Sequence, residues 1–354
     1  MKIQKTIKGI SLFANIGIAE TYFSRHGIDI VVANELLQDR CDFYSFLYPK
    51  TNMVCGDICD QTIFNKLVNL YKNNDCSFLI ATPPCQGMSL AGKMDKHDER
   101  NKLIVQVVEF IKRVEPFYIL IENVPGILNF SILIDDESIR IVDYIKKNLE
   151  PIGYFINYRV LDAADYNTPQ FRKRAIFLIS KIKKWDFPSP CKHITVREAI
   201  GDLPSIESGE KTDIKNHYSK KHNENHVLWM AHTPTGKTAF DNPVYFPTKD
   251  GRKIRGFSTT YKRINWDEPA PTITMCNGAI SSQNNVHPGR LQKNGIYSDA
   301  RVLSILELQR LMGLPDDWNI PPWASDNFIR KVIGEGFPPR FAESCISTLT
   351  KIIQ

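Results

Sequence analysis

Hydrophobic positions in the first half of the chain alternate between two patterns. Short continuous apolar runs lie at residues 10–13, 30–33, 77–81, 118–121 and 175–179, several of them β-branched. Runs of this kind predict strands buried on both faces, as in a parallel sheet. Between them, residues 19–26, 34–46, 61–72, 101–114 and 138–149 read as helices. In 101–114, Leu103, Ile104, Val107, Val108 and Ile111 recur at helical spacing and mark one buried face. Strand and helix in strict alternation predict an α/β fold with a doubly wound, mostly parallel sheet.

The pattern breaks after Lys181. Proline dipeptides at 189–190, 203–204, 233–234, 242–243, 246–247 and 287–288 interrupt any long element. Only 196–200 and scattered short strands are credible elements there, so residues 186–297 are expected to form a smaller, irregular domain. Helical pattern returns at 303–312 and 339–353, in segments too short to stand alone. The expected organisation is therefore a main domain of 1–185 plus 298–354 around the irregular insert.

Charge sharpens that division. The chain of 354 residues has a net charge of +6. Residues 181–300 hold 18 Lys and Arg against 12 Asp and Glu, which accounts for the whole excess. A localised basic excess is the footprint of a surface that meets polyphosphate. No apolar run reaches the roughly 20 residues of a membrane helix, and the N-terminus lacks the pattern of a signal peptide. Eight cysteines without a paired framework fit a reducing, cytoplasmic setting. Cys55 and Cys59 have no second ligand pair, so no metal site is expected.

Chemistry is expected beyond the carboxyl ends of the strands, where open α/β sheets bind ligands. Four segments fall there. The turn 11–17, Ser-Leu-Phe-Ala-Asn-Ile-Gly, lacks the G-x-G-x-x-G of pyrophosphate binders, which suits a nucleoside without phosphates. Glu35 and Asp57 end or follow strands, where carboxylates accept from ribose hydroxyls or an exocyclic amine. Cys85 follows an apolar strand on a loop held by Pro83 and Pro84, the rigid exposed setting a nucleophilic thiol needs. Glu122 lies at the end of another strand, and Arg172 and Arg174 enter a further one on one face. Cysteine, glutamate and arginine at neighbouring strand ends make a nucleophile, an acid and a cationic clamp.

Pro-Pro-Cys-Gln at 83–86, Glu-Asn-Val at 122–124 and Gln-x-Arg-x-Arg at 170–174 occur in this order with fitting gaps. As a set they resemble the bacterial DNA (cytosine-5)-methyltransferases of restriction–modification systems. The likeness extends to Phe13, Gly17, Glu35, residues 56–58 and 98–103, then to 301–318 and 334–339. The resemblance implies a Rossmann-like methyltransferase fold in which the 186–297 region is the target-recognition domain. It implies transfer of a methyl group from S-adenosyl-L-methionine to carbon 5 of a cytosine flipped out of duplex DNA. Cys85 would add covalently to carbon 6, Glu122 would hold the ring N3 and amine, Arg174 the O2 edge, and Arg172 would support the loop. Phe13, Asn15, Gly17, Glu35, Asp57, Ile58, Pro84, Leu103 and Glu335 would line the cofactor site. Gln86, Ser89, Gln170, Arg252, Arg255, Lys262, Arg263 and Thr274 would meet DNA. The implied partners are double-stranded DNA and a cognate restriction endonuclease, with the chain acting as a monomer.

The chain departs from the family pattern at Ser11, where an Asp is usual, at Asn15 and Ile18, where glycines are usual, and at Glu335, where an Asn is usual. Other readings are a cytosine-5 methyltransferase acting on tRNA, which would need a smaller insert, and a catalytically weakened DNA-binding relative. A nicotinamide or flavin oxidoreductase would need the missing glycine pattern.

Overall fold

A computed structural model of the chain describes residues 6–84, 103–134, 137–349 and 352. Two compact units emerge. The first comprises 1–162, 173–190 and 341–354, the second 163–172 and 191–340.

The first unit is built on β1 (Ile7–Leu12), β2 (Ile28–Glu35), β3 (Asn52–Cys55), β4 (Phe78–Ala81) and β5 (Tyr118–Asn123), all parallel. A 3-10 segment (Ala19–His26) follows β1 and ends at Gly27, whose φ is 70°. The helices between the later strands are α1 (Gln38–Leu47), α2 (Gln61–Asn73) and α3 (Leu103–Val114). Each has a plain local cause. α2 starts where the Asp60 carboxylate accepts from the Thr62 and Ile63 amides. It then buries Phe64, Leu67, Val68 and Tyr71 on one face. α3 buries Ile104, Val107, Val108 and Ile111 as expected, together with Phe110, and Leu103 only in part.

A short hairpin, β6 (Ser131–Ile134) and β7 (Glu137–Arg140), precedes α4 (Ile141–Leu149). β8 (Phe155–Asp162) and β9 (Lys173–Ser180) complete a seven-stranded sheet in the order β3-β2-β1-β4-β5-β9-β8. β9 runs antiparallel to both β5 and β8. The order reverses between β1 and β4, which makes their carboxyl ends the switch point where such sheets bind ligands.

Differences from the sequence reading are local. Residues 34–35 finish β2 rather than open a helix, because Asn34 Nδ2 donates to the carbonyls of Val54 and Gly56. Residues 138–140 pair in the β6–β7 hairpin, so the helix there starts at Ile141. β3 and β8 escape the apolar-run criterion because both lie at sheet edges and carry polar or exposed residues.

The second unit contains α5 (Val196–Ile200), α6 (Glu224–Ala231), a small exposed hairpin of β10 (Thr248–Lys249) and β11 (Arg252–Lys253), α7 (Ile305–Met312) and α8 (Asp326–Glu335). The expected main-domain segment from 298 onward divides at 340: only the end, with α9 (Pro339–Ser347), belongs largely to the first unit. Two forces hold 298–340 in the second unit. Arg301 is fully buried and pairs with Asp299 and Glu307, and its Nε donates to the Ile206 carbonyl. Gly334 approaches the Thr274 backbone so closely that a Cβ would lie 2.2 Å from its carbonyl oxygen.

Within this buried charge cluster, His287 Nδ1 accepts from the Gly289 amide at 3.1 Å, which fixes the neutral ring. Desolvation and the Arg301 charge push its pKa down to about 3. Arg301 therefore offsets both Asp299 and Glu307, with Arg290 as a second cation on Asp299, and it holds the Glu307 carboxyl down at about 2 against the cost of burial.

Candidate active site and nucleic-acid interface

The chain after β1 turns through three left-handed residues in alternation: Phe13 (φ 58°), Asn15 (φ 50°) and Gly17 (φ 79°). Such conformations persist only where neighbours determine them. Glu35, the last residue of β2, accepts from the Asn15 amide at 2.9 Å and from the Leu37 amide at 3.1 Å. The Phe13 carbonyl accepts from Thr82 Oγ1 at 3.0 Å, which ties the turn to the end of β4. Asn15 Oδ1 is buried and has no hydrogen-bond partner among the described residues. Asp57 is exposed beyond β3 and accepts from the Cys59 amide, while Ile58 is buried beside it. Leu103 is partly buried at the start of α3, and Pro84 is exposed just past β4.

Gly17 proves necessary for a reason other than ligand approach. A Cβ there would sit 2.4 Å from the Tyr48 ring and 2.8 Å from Tyr44, and its carbonyl accepts from Tyr48 Oη at 2.7 Å. The glycine is required by Tyr44 of α1, by Tyr48 just after that helix and by its positive φ.

At the neighbouring strand ends, Asn123 Nδ2 donates to the Pro83 carbonyl at 2.9 Å, so β5 holds the segment that leads to Cys85. Cys85 itself, with Gln86 and Ser89, lies outside the described residues. One residue before Asn123, the Glu122 carboxylate receives Arg174 Nε at 2.7 Å. The antiparallel register pairs Glu122 with Ile176, which brings Arg174 alongside. Both side chains are largely buried, at 12% and 15% exposed. An ion pair of this kind keeps the carboxyl oriented and the guanidinium fork partly committed. Sequence reasoning named Glu122 and Arg174 but missed Thr82 and Asn123, which position the two loops. A polar residue directly after an apolar strand was the available signal.

Arg172 and Arg174 part company, contrary to the expectation that they share a strand face. β9 begins only at Lys173, and Arg172 belongs to the second unit. There it is buried and donates to the carbonyls of Ile273 at 2.9 Å and Gly334 at 3.0 Å. Gln170 is fully buried beside it, accepting from the Ile273 amide and donating to the Leu311 carbonyl, and so is withdrawn from any DNA contact. The same correction holds for Arg263. Its guanidinium is fully buried and donates to the carbonyls of Met230, His287, Ser298 and Asp299, at 2.8 to 3.0 Å. The remaining expected DNA residues differ: Arg252 and Arg255 are exposed on and after β11, and Lys262 and Thr274 are partly exposed. Glu335 is partly exposed at the end of α8.

Comparison with known proteins decides the family. The model of the C-5 cytosine-specific DNA methylases matches residues 7–351. The chain is a C-5 cytosine-specific DNA methylase. Among relatives of this methylase, the type II methyltransferase M1.HgaI of Avibacterium volantium is 51% identical over 97% of this chain and 98% of its own length. M1.HphI of Haemophilus parahaemolyticus is 27% identical over 97% and 86%. In fold, the methylase matches the crystal structure of a putative DNA modification methyltransferase from an E. coli prophage, with TM-score 0.72 and 21% identity, over 98% of this chain and 99% of that one. A Spodoptera frugiperda DNMT2 mutant also matches, with TM-score 0.65 and 15% identity over 98% and 99%. The enzyme is thus a DNA cytosine-5 methyltransferase with the seven-stranded, mostly parallel sheet of that fold class. Among the described residues no group of three or more potential ligands could hold a metal ion. No described helix is long and apolar enough to cross a membrane.

Proposed function

We propose that this methylase modifies cytosine within one short sequence of duplex DNA, using S-adenosyl-L-methionine, through a covalent adduct to Cys85 on a base flipped out of the helix. The observation that carries the reading is the Glu122–Arg174 pair at the end of β5, next to the Pro83 carbonyl that Asn123 holds. The donor set of the first unit fits the cofactor. Glu35 and Asp57 offer acidic oxygens, the turn offers no phosphate cradle, and Asn15 Oδ1 is a buried acceptor without a donor among the described residues. Phe13, Gly17, Ile58, Pro84 and Leu103 border this end of the sheet and would complete the cofactor site.

Bound there, the cofactor supplies an electrophilic methyl group. The protein does the rest. The Cys85 thiolate forms a bond to carbon 6, and the electron pair moves toward carbon 5, which becomes nucleophilic. Glu122 hydrogen-bonds ring N3 and the exocyclic amine, where charge develops, and so selects cytosine. Arg174, held by Glu122 and with Nη1 on the Lys173 carbonyl, presents the N–H groups left over to O2. Once carbon 5 carries the methyl group, its proton passes to a base, the Cys85–carbon 6 bond breaks and the thiolate returns. Arg172 acts as a positioning residue inside the second unit, through the two carbonyls it joins. Extrusion of the base costs a few kcal/mol of stacking, and the second unit supplies the contacts that offset it.

Arg252, Arg255, Lys262 and Thr274, with Gln86 and Ser89 from the Cys85 loop, are the proposed DNA contacts. We further infer a cytoplasmic, monomeric enzyme paired with an endonuclease that cuts the same site. Bisulfite sequencing of plasmid DNA from cells expressing the wild type or Cys85→Ser tests the reading. Protected cytosines confined to one motif and absent in the variant are expected. Soluble wild-type protein that leaves the DNA unmodified would overturn it.

A further inference from the structure

Beneath the 13–18 turn lies a carboxyl group that the reaction does not use. Glu20 is buried, in the 3-10 segment that follows the turn. Its Oε2 accepts from Tyr44 Oη of α1, and the Ser11 hydroxyl of β1 supplies a second hydrogen bond. Tyr44 packs on Tyr48, with ring centroids 4.9 Å apart. Tyr48 in turn donates its hydroxyl to the Gly17 carbonyl and fills the space where a side chain at 17 would stand. The groups facing Glu20 are Ser11 from β1, Tyr44 from α1 and Tyr48 just after it, with Tyr22 of its own segment close to Tyr48. None is a cation. A buried carboxyl without a cation is costly to keep, and burial pushes its pKa up to about 7.

We propose that Glu20 is the positioning residue for the cofactor turn, acting through Tyr44 and Tyr48 on Gly17. The turn carries Phe13 and Asn15 in left-handed conformations that L side chains rarely adopt. Glu35 fixes one side of it through the Asn15 amide, and Thr82 fixes the Phe13 carbonyl. The far end, at Gly17, is fixed by Tyr48 alone among the described side chains that hydrogen-bond it. Without the carboxyl at 20, the Tyr44 hydroxyl loses its acceptor in a buried site, and the tyrosine pair is free to shift off Gly17.

This inference rests on the reading of the turn as the cofactor site, and calorimetry with the unreactive cofactor analogue sinefungin separates the two. Wild type is expected to bind. Glu20→Gln keeps a hydrogen-bonding side chain of the same size, so affinity is expected to stay within about threefold. Glu20→Ala is expected to lose roughly tenfold or more in sinefungin affinity, at a temperature where the variant is fully folded and with DNA affinity unchanged. Tyr48→Phe, which removes only the hydroxyl on Gly17, is expected to weaken the analogue by about threefold to tenfold and decides the matter if Glu20→Ala does not fold. The titration provides a second readout. A carboxyl whose folded pKa is raised stabilises the fold fully below its ordinary value and loses that contribution as pH rises through about 7. The difference in Tm between wild type and Glu20→Gln is therefore expected to change between pH 5 and 8. Folded Glu20→Ala and Tyr48→Phe proteins that bind sinefungin as wild type does would overturn the inference alone. Wild type that binds neither sinefungin nor S-adenosylmethionine would overturn the cofactor reading and this inference with it.

Discussion

Replacement of Arg263 by Met separates a DNA contact from a structural tie. Met fills much of the alkyl volume but removes every N–H. Four carbonyls, of Met230, His287, Ser298 and Asp299, then lose a charged donor in the interior of the second unit. The Met230 and Asp299 carbonyls keep the Thr233 and Arg301 amides, whereas those of His287 and Ser298 keep no other donor among the described residues. Each buried acceptor left unmet costs about 1–3 kcal/mol and the two weakened ones add to it, so a total of about 3–5 kcal/mol is expected. For a unit of this size that corresponds to a fall in Tm of roughly 6–20 °C. Differential scanning calorimetry should resolve the loss in the transition of the second unit. The neighbouring Lys262→Met provides the control, because Lys262 is partly exposed. It should leave Tm within about 2 °C and lower the slope of log affinity for DNA against log salt by about one. If Arg263→Met melts with the wild type yet binds DNA with a shallower salt slope, the guanidinium faces phosphate, and the carbonyl assignment is wrong.

Three further outcomes are expected. Gly17→Ala places a Cβ 2.4 Å from Tyr48 at φ 79°, so it should cost about 1–3 kcal/mol in stability and sharply weaken sinefungin binding; unchanged calorimetric affinity would count against the close packing. Glu122→Gln should lower methyl transfer by about 10²–10⁴-fold with little change in Tm, measured with a tritiated methyl donor, and near-normal turnover would remove Glu122 from the chemistry. His287 is neutral when folded, with a pKa of about 3 against an ordinary 6.5, so the folded state binds fewer protons than the unfolded one. Its contribution is complete above pH 6.5 and is lost as pH falls toward 3. Glu307 adds a loss of the same sign from about 4.5 toward 2. His287→Gln should therefore flatten the stability profile between pH 6.5 and 4.5, and an unchanged slope in urea titrations would place the acid sensitivity elsewhere.

The sheet was legible because strands covered on both faces are written as apolar runs, and β4 and β5 are buried at every position. The edge strands β3 and β8 were not legible, since exposure to solvent lets polar residues enter them. Residue order marked Glu122 and Arg174 as candidates, because each stands as a charged side chain at the end of an apolar run. It could not distinguish Arg255 from Arg263, or Arg172 from Arg174. An arginine reads the same whether its fork meets water, phosphate or four carbonyls, and only the path of the chain through space decides which. The same is true of Gly17 and Glu20. Their neighbours, Tyr44 and Tyr48, come from the next helix and the residue that follows it, so the need for a bare Cα and a buried carboxyl arises only once α1 packs against the turn.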